Sequence, residues 1–212
     1  MKETTRLGKI RIALDNALSQ PIVAEYLAEY GYNKETIAEG ELLYENYVQA
    51  ADAARNKSFE VEQASNAYRE RFKNFEAQYR EHRKLAKIKF KGQEAVLKTL
   101  DLISPFDDNT LERMSSMRRF YYGLKGDKAL VGVLKTVKID DAVVKAAIRE
   151  FGVIENEKSQ VQRHRGVLQS MNAVKSEQFE RLQMWTSDFL QVARIALKGN
   201  EQLLEVLGVT VK

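Results

Sequence analysis

The sequence predicts an all-α, internally duplicated protein, and three observations predict it. Proline is nearly absent: Pro21 and Pro105 are the two in 212 residues. Apolar residues recur at three- and four-residue steps over long stretches, as in Ile37, Tyr44, Val48 and Ala51 or Val144, Ile148, Phe151 and Ile154. The chain also repeats itself at an offset of 107 positions. Proline lacks the amide donor and clashes with the preceding helical turn, so long helices exclude it, whereas the many turns of a sheet protein recruit it.

The repeat is clearest where Ala86–Leu102 is set over Ala193–Val209. Seven of these seventeen positions are identical, among them Lys91/Lys198, Gly92/Gly199, Glu94/Glu201 and Leu97/Leu204; about one would match by chance. The same offset aligns Leu27 with Leu134, Ile37 with Val144, Tyr44 with Phe151, Phe72 with Phe179 and Phe75 with Leu182. Residues 1–104 form the first helical repeat and 105–212 the second, with the boundary at the loop-like Ser104-Pro105-Phe106-Asp107.

Asn33 and Asp140 have the short acceptor side chains that cap a helix N-terminus, and each begins a long helix. A second long helix in each repeat carries Val61, Ala64, Phe72, Phe75 and Tyr79, or Leu168, Met171, Phe179, Leu182 and Phe189. The polar run Asn56-Lys57-Ser58 and the pair Arg165-Gly166 place a break between the two helices of each hairpin. Leu18-Ser19-Gln20-Pro21, Lys91-Gly92-Gln93, Lys125-Gly126-Asp127 and Lys198-Gly199-Asn200 read as helix–corner–short-helix joints. In them lysine complements the helix C-terminus, glycine supplies positive φ, and Ser19, Asp127 or Asn200 caps the next helix. Two long-helix hairpins related by a pseudo-two-fold axis close an antiparallel four-helix bundle with additional short helices; the alternative is that each half folds separately.

Composition excludes several chemistries. Without cysteine there are no disulfides, zinc–thiolate sites or thiol nucleophiles. The N-terminus lacks the apolar run of a signal peptide, and no stretch has the length of a membrane span, so a cytoplasmic protein is expected. A di-iron bundle site needs Glu-x-x-His on two helices. Here the histidines are His82 and His164, preceded at that spacing by Tyr79 and Val161. Both lie among cations, as solvated histidines whose pKa is held down. No phosphate-binding glycine loop, catalytic triad signature or calcium loop is present. Pairs such as Glu39/Glu45 and Glu60/Glu62 read as solvated faces, and the stripe Tyr44, Tyr47, Tyr68, Phe72, Phe75, Tyr79 as core and core edge. No catalytic, cofactor-binding or metal-binding residue is assigned, and no enzyme of a recognisable kind is expected.

Charge is unevenly spread. The net charge is +4, yet residues 80–98 hold seven cations against Glu81 and Glu94, and residues 113–138 hold seven against Asp127. Residues 35–62 hold seven acids against Arg55 and Lys57. Arg80, Arg83, Lys84, Lys87 and Lys91 share one helix face by spacing, while the repeat has Ser187, Leu190, Gln191, Arg194 and Lys198 in their places. The scaffold thus does not need the stripe, and replacing Arg80, Arg83, Lys84 and Lys87 by glutamine is expected to leave folding intact. With Arg118 and Arg119, which lie beside Phe120, Tyr121 and Tyr122, these are the candidate partner-binding residues. The best reading is a non-catalytic scaffold or interaction module with an acidic protein partner. The alternatives are a nucleic-acid-binding helical protein, or a bundle with an interior small-molecule or metal site built from tyrosines and glutamates. Homo-oligomerisation is left open.

Ala193-Arg194-Ile195-Ala196-Leu197-Lys198-Gly199, followed by Gln202-Leu203-Leu204-Glu205-Val206-Leu207-Gly208-Val209, resembles the C-terminal ending of uncharacterised bacterial all-helical proteins. Tyr30-Gly31-Tyr32-Asn33 leading into Ile37-Ala38-Glu39-Gly40 does so too. The resemblance implies a helical fold and a bacterial source, and carries no activity.

Overall fold

In the computed structural model, which describes residues 3–106 and 109–209, every regular element is helical and no strand occurs among those residues. The elements are α1 (Glu3–Ser19), α2 (Pro21–Glu29), α3 (Lys34–Lys89), α4 (Glu94–Thr99), α5 (Thr110–Gly126), α6 (Lys128–Leu134), a 3-10 turn (Lys135–Val137), α7 (Asp141–Ala196) and α8 (Gln202–Val206). Asn33 and Asp140 cap α3 and α7 as expected. Their side-chain oxygens accept from the amides of Thr36 at 3.0 Å and Val143 at 2.9 Å. Of the residues expected to cap after the joints, only Asp127 does so, accepting from the amides of Ala129 and Leu130. The residue before Pro21 is Gln20, with no side-chain cap, and α8 is preceded by Glu201 rather than capped by Asn200.

The expected breaks do not occur. α3 and α7 are each one uninterrupted helix of 56 residues, so the four separate long helices of two hairpins are two. Asn56, Lys57 and Ser58 each cost a helix well under about 1 kcal/mol, and Gly166 costs about 1. Ending a helix there would cost more, because new termini leave backbone groups unpaired and a second helix must be nucleated. What the polar runs do mark is a thinning of the apolar stripe. No residue of α3 between Ala54 and Ser65 is buried, and none of α7 between Val161 and Leu182.

The buried residues accordingly gather into two cores. One compact unit comprises residues 1–59 and 166–212, the other residues 60–165. α3 and α7 pack against each other, with Tyr47 on Phe179 in the first unit and Phe75 on Phe151 in the second. In the first unit the core draws Ile10, Leu14 and Ala17 from α1, Val23 and Leu27 from α2, Ile37 and Tyr47 from α3, and Leu182, Phe189 and Ala193 from α7. In the second it draws Met117, Phe120, Tyr121 and Leu124 from α5, Phe72, Phe75, Tyr79 and Ala86 from α3, Phe90 from just after it, and Val144, Phe151 and Ile154 from α7. The aromatic stripe is core and core edge as read: Tyr47, Phe72, Phe75 and Tyr79 are buried, Tyr44 and Tyr68 half-buried.

Element boundaries keep the 107-residue spacing. α1 and α5 start and end 107 positions apart, as do α3 and α7. The described residues with left-handed backbone pair the same way: Gly31 (φ 85°) with Lys138 (65°), Gly92 (83°) with Gly199 (90°), and Asp101 (55°) with Gly208 (73°). The side chains at positions 107 apart differ in places. Gly40 lies directly under the Trp185 ring, which stacks on Phe189; the corresponding positions in the second unit hold Ala147 and Gln78.

A Cβ at Gly40 would fall inside the van der Waals radius of the Trp185 ring. Gly40→Ala is therefore expected to destabilise the first unit by about 1–3 kcal/mol, the usual cost of overpacking. Urea unfolding followed by the fluorescence of Trp185, the single tryptophan, measures it; an unchanged midpoint would show that the ring moves aside freely.

Candidate functional site

All seven residues singled out by charge fall in the second unit, but the structure divides them among different tasks. Along the second half of α3 and just past its end, Phe72, Phe75, Tyr79, Arg83, Ala86 and Phe90 follow one another at steps of three and four and are all buried. Arg83 thus occupies a core position, 7% exposed. Its guanidinium donates to the carbonyl oxygens of Asp101 at 3.3 Å and Leu102 at 3.4 Å, and closely to that of Ser104. An arginine fork with five fixed donors can satisfy several carbonyls of an irregular segment at once. Arg83 is a clamp on the chain that leaves α4, not part of a solvent-facing stripe.

The same segment is held from the other side. Asp101, in left-handed backbone, accepts from Ser116 Oγ of α5 at 2.6 Å, and the Arg119 guanidinium lies 3.8 Å from its carboxylate. Arg80 pairs with Glu76 at 2.6 Å, and its guanidinium lies over the Phe106 ring, 4.4 Å from the centroid. Glu76 also accepts from Arg113 at 2.8 Å. Arg80, Arg83 and Arg119 are therefore engaged in fastening residues 101–106 to α3 and α5. Arg118, one residue from Arg119 and so about 100° round the helix, faces another way, 3.5 Å from Glu155 of α7.

Lys84, Lys87 and Lys91 remain. They are exposed, and no carboxylate among the described residues lies within ion-pair distance of them. Partial burial and the nearby Arg83 charge lower the Lys87 pKa. Spacings of three, four and seven residues keep the three lysines on one side of the chain at the end of α3.

His82 is not solvated among cations. His82 is half-buried with Nδ1 3.0 Å from the Tyr121 hydroxyl, and burial is what pushes its pKa down; Glu81 acts in the opposite sense. His164 lies 3.8 Å from the Glu60 carboxylate. Tyrosine–glutamate chemistry does occur in the first unit, where the buried Tyr47 hydroxyl donates to Glu3 and the Lys175 ammonium lies 4.0 Å from that carboxylate. Burial, then the Glu3 hydrogen bond, raises the Tyr47 pKa. This arrangement ties α1 to both long helices. Among the described residues no group of three or more His, Asp or Glu side chains has metal-binding geometry, and no helix is long and apolar enough to cross a membrane.

The second unit also carries grooves; one, of about 440 Å³ between α5 and α7, is floored by Met114 and Phe151 and rimmed by Ser115, Arg118, Glu155, Lys158 and Gln162, and another lies beside Arg71 and Phe75. No family model matches the chain, nor does any curated protein or solved structure.

Two outcomes follow from these contacts. Arg83→Gln, at a buried position with three carbonyl partners, is expected to cost about 1.5–3 kcal/mol, the range for hydrogen bonds to a charged group, measured as a fall in the urea midpoint with the Lys84→Gln variant as control. A Lys84→Gln loss equal to that of Arg83→Gln would refute the division of roles. The depressed His82 pKa means that the unfolded chain takes up a proton first as pH falls below about 6.5. Stability contributed by His82 is thus complete above that pH and is lost on acidification toward its lower folded pKa. Midpoints at pH 8 and pH 5 should converge in His82→Gln relative to the parent; an unaltered difference would contradict the burial of the imidazole.

Proposed function

We propose that this chain is an internally duplicated, non-catalytic helical scaffold whose second unit presents a basic surface to an acidic protein partner. The duplication is supported by the 107-residue spacing of helix ends and of the left-handed residues. The observation that carries the function is the partition of charge. Residues 60–165 hold 22 cations and 16 acids, a net of +6, while the remaining residues hold 12 and 14, a net of −2. Two bodies of one duplicated fold have thus diverged in charge, which folding does not require of them and an electrostatic partner would.

The three lysines at the end of α3 are the contact surface in this reading. Lys87 and Lys91 have cationic counterparts in Arg194 and Lys198, in keeping with the favourable placement of positive charge at a helix C-terminus. Lys84 corresponds to Gln191 and extends the charge a turn further. A protein partner needs only complementary carboxylates, so the buried positions of Phe120 and Tyr121 do not weigh against it. Arg80, Arg83 and Arg119, each committed to residues 101–106, help to fix the surface without being its contacts.

The combined Lys84→Gln, Lys87→Gln, Lys91→Gln variant tests this. Its helicity by circular dichroism should be unchanged. Its affinity for poly-L-glutamate, as an acidic polypeptide probe, should fall several-fold at low salt, with a shallower salt dependence, since exposed charges act over about a Debye length. Binding equal to the parent's would overturn the assignment.

A further inference from the structure

We propose a second binding surface, on the outer side of α5, for single-stranded nucleic acid: Tyr122 stacks an unpaired base while Arg118, Lys125 and Lys158 hold the flanking phosphates. It uses residues other than the lysines of α3 and does not rest on the reading given for them.

Three adjacent aromatics of α5 have separate fates. Phe120 and Tyr121 are buried, and Tyr122 is 44% exposed. Arg118 and Lys125, one turn before and one turn after, lie over the Tyr122 ring, 5.6 and 5.9 Å from its centroid, so a base stacking there moves a cation from the ring onto the base's own phosphate. An exposed ring flanked by cations offers a base a π-face and its phosphates a countercharge. The counterpart of Tyr122 is Asp15, which neutralises Arg11, the counterpart of Arg118, at 2.7 Å. At this place the second unit carries a ring instead of the carboxylate that quenches the arginine in the first.

The groove beside Arg118 supplies the independent observation. Lys158 is half-buried there, and the partner given to its ammonium is a weak one, the Met114 thioether at 3.5 Å. No carboxylate among the described residues lies within ion-pair distance of it, and its counterpart is Ala51. An ammonium has three donors and is strongly hydrated, so one held over Met114 and Phe151 with a thioether for company is poised for an anion. Ser115 and Gln162 on the rim add hydrogen-bonding groups. Glu155 opposes an anion. Its contact with Arg118 is long, 3.5 Å, and exposed, the kind of pair that contributes little in water and yields to a phosphate. A duplex keeps its bases stacked and cannot offer one to Tyr122, which selects for single strands.

The experiment is fluorescence anisotropy on the full chain with a labelled 12-nucleotide mixed-sequence RNA, the same strand as DNA, its duplex, and poly-L-glutamate as competitor. The parent should bind both single strands more tightly than the duplex. Tyr122→Ala should weaken single-strand binding by about five-fold or more, the scale of one base–aromatic stack, whereas Tyr122→Phe should stay within about two-fold of the parent because it keeps the π-face. Lys158→Gln should reduce the salt slope by about one phosphate contact. None of these should change poly-L-glutamate binding, and the triple lysine variant should retain the Tyr122 effect. Circular dichroism establishes that each variant is folded; should Tyr122→Ala lose helicity, Lys158→Gln decides. Single-strand binding that is absent, no tighter than duplex, or unaltered in the deciding variant overturns the proposal, as does displacement of the strand by poly-L-glutamate at equal charge.

Discussion

The continuity of α3 and α7 is the constraint on which the rest of the molecule depends. Each helix is long enough to serve two cores, and each does. The start of α3 and the end of α7 build the first unit, and the end of α3 and the start of α7 build the second. Neither unit can therefore be assembled from one half of the sequence alone. The short helices follow from this. α1 and α2 cover the first core and α5 the second, and the chain leaving α4 must be fastened wherever α3 delivers it. Helix cooperativity, a local property, thus dictates a non-local pairing: the cost of interrupting a backbone ladder outweighs a few polar residues in its path.

Within that frame polar side chains work chiefly as fasteners. Arg83, Arg80, Arg119, Asp101 and Ser116 secure the segment 101–106, and Tyr47, Glu3 and Lys175 secure α1. Tyr79 and Ser65 are exceptions among the described residues, each buried with a hydroxyl that has no hydrogen-bond partner; Tyr79 lies among Phe106, Phe120 and Tyr121, and burial pushes its pKa up to about 12. Its ring contributes packing that a phenylalanine would match without the desolvated hydroxyl.

Positions 107 apart differ both in the core and at the surface. At the positions 107 residues from Gly40 and Trp185 stand the buried Ala147 and the exposed Gln78, so the pairing of a glycine with an overlying ring is particular to the first unit. At the surface, Tyr122 lies 107 positions from Asp15, and Lys158 lies 107 positions from Ala51. Those exposed or half-exposed differences raise positive charge or aromatic surface in the second unit.

The sequence by itself determined the helical class, the caps at Asn33, Asp127 and Asp140, the positive-φ corners at Gly92 and Gly199, and the core positions Ile37, Phe72, Phe75, Tyr79, Val144, Phe151 and Ile154, because these depend on a residue's own chemistry and its near neighbours; Val61, Ala64, Leu168 and Met171, read as core by the same periodicity, are only half-buried. The spacing that places Arg83 in line with Tyr79, Ala86 and Phe90 was also legible there; charge alone hid it, since arginine is seldom a core residue unless its donors are met, and the carbonyls that meet them come from residues 101–104. Tertiary structure alone decided that Asn56–Ser58 and Gly166 lie inside helices, that Arg118 and Arg119 serve different neighbours, that His82 is shielded by Tyr121, and that of three consecutive aromatics Tyr122 faces water. Each of these turns on which elements pack against a given helix face, and local periodicity states that a face is apolar without stating what covers it.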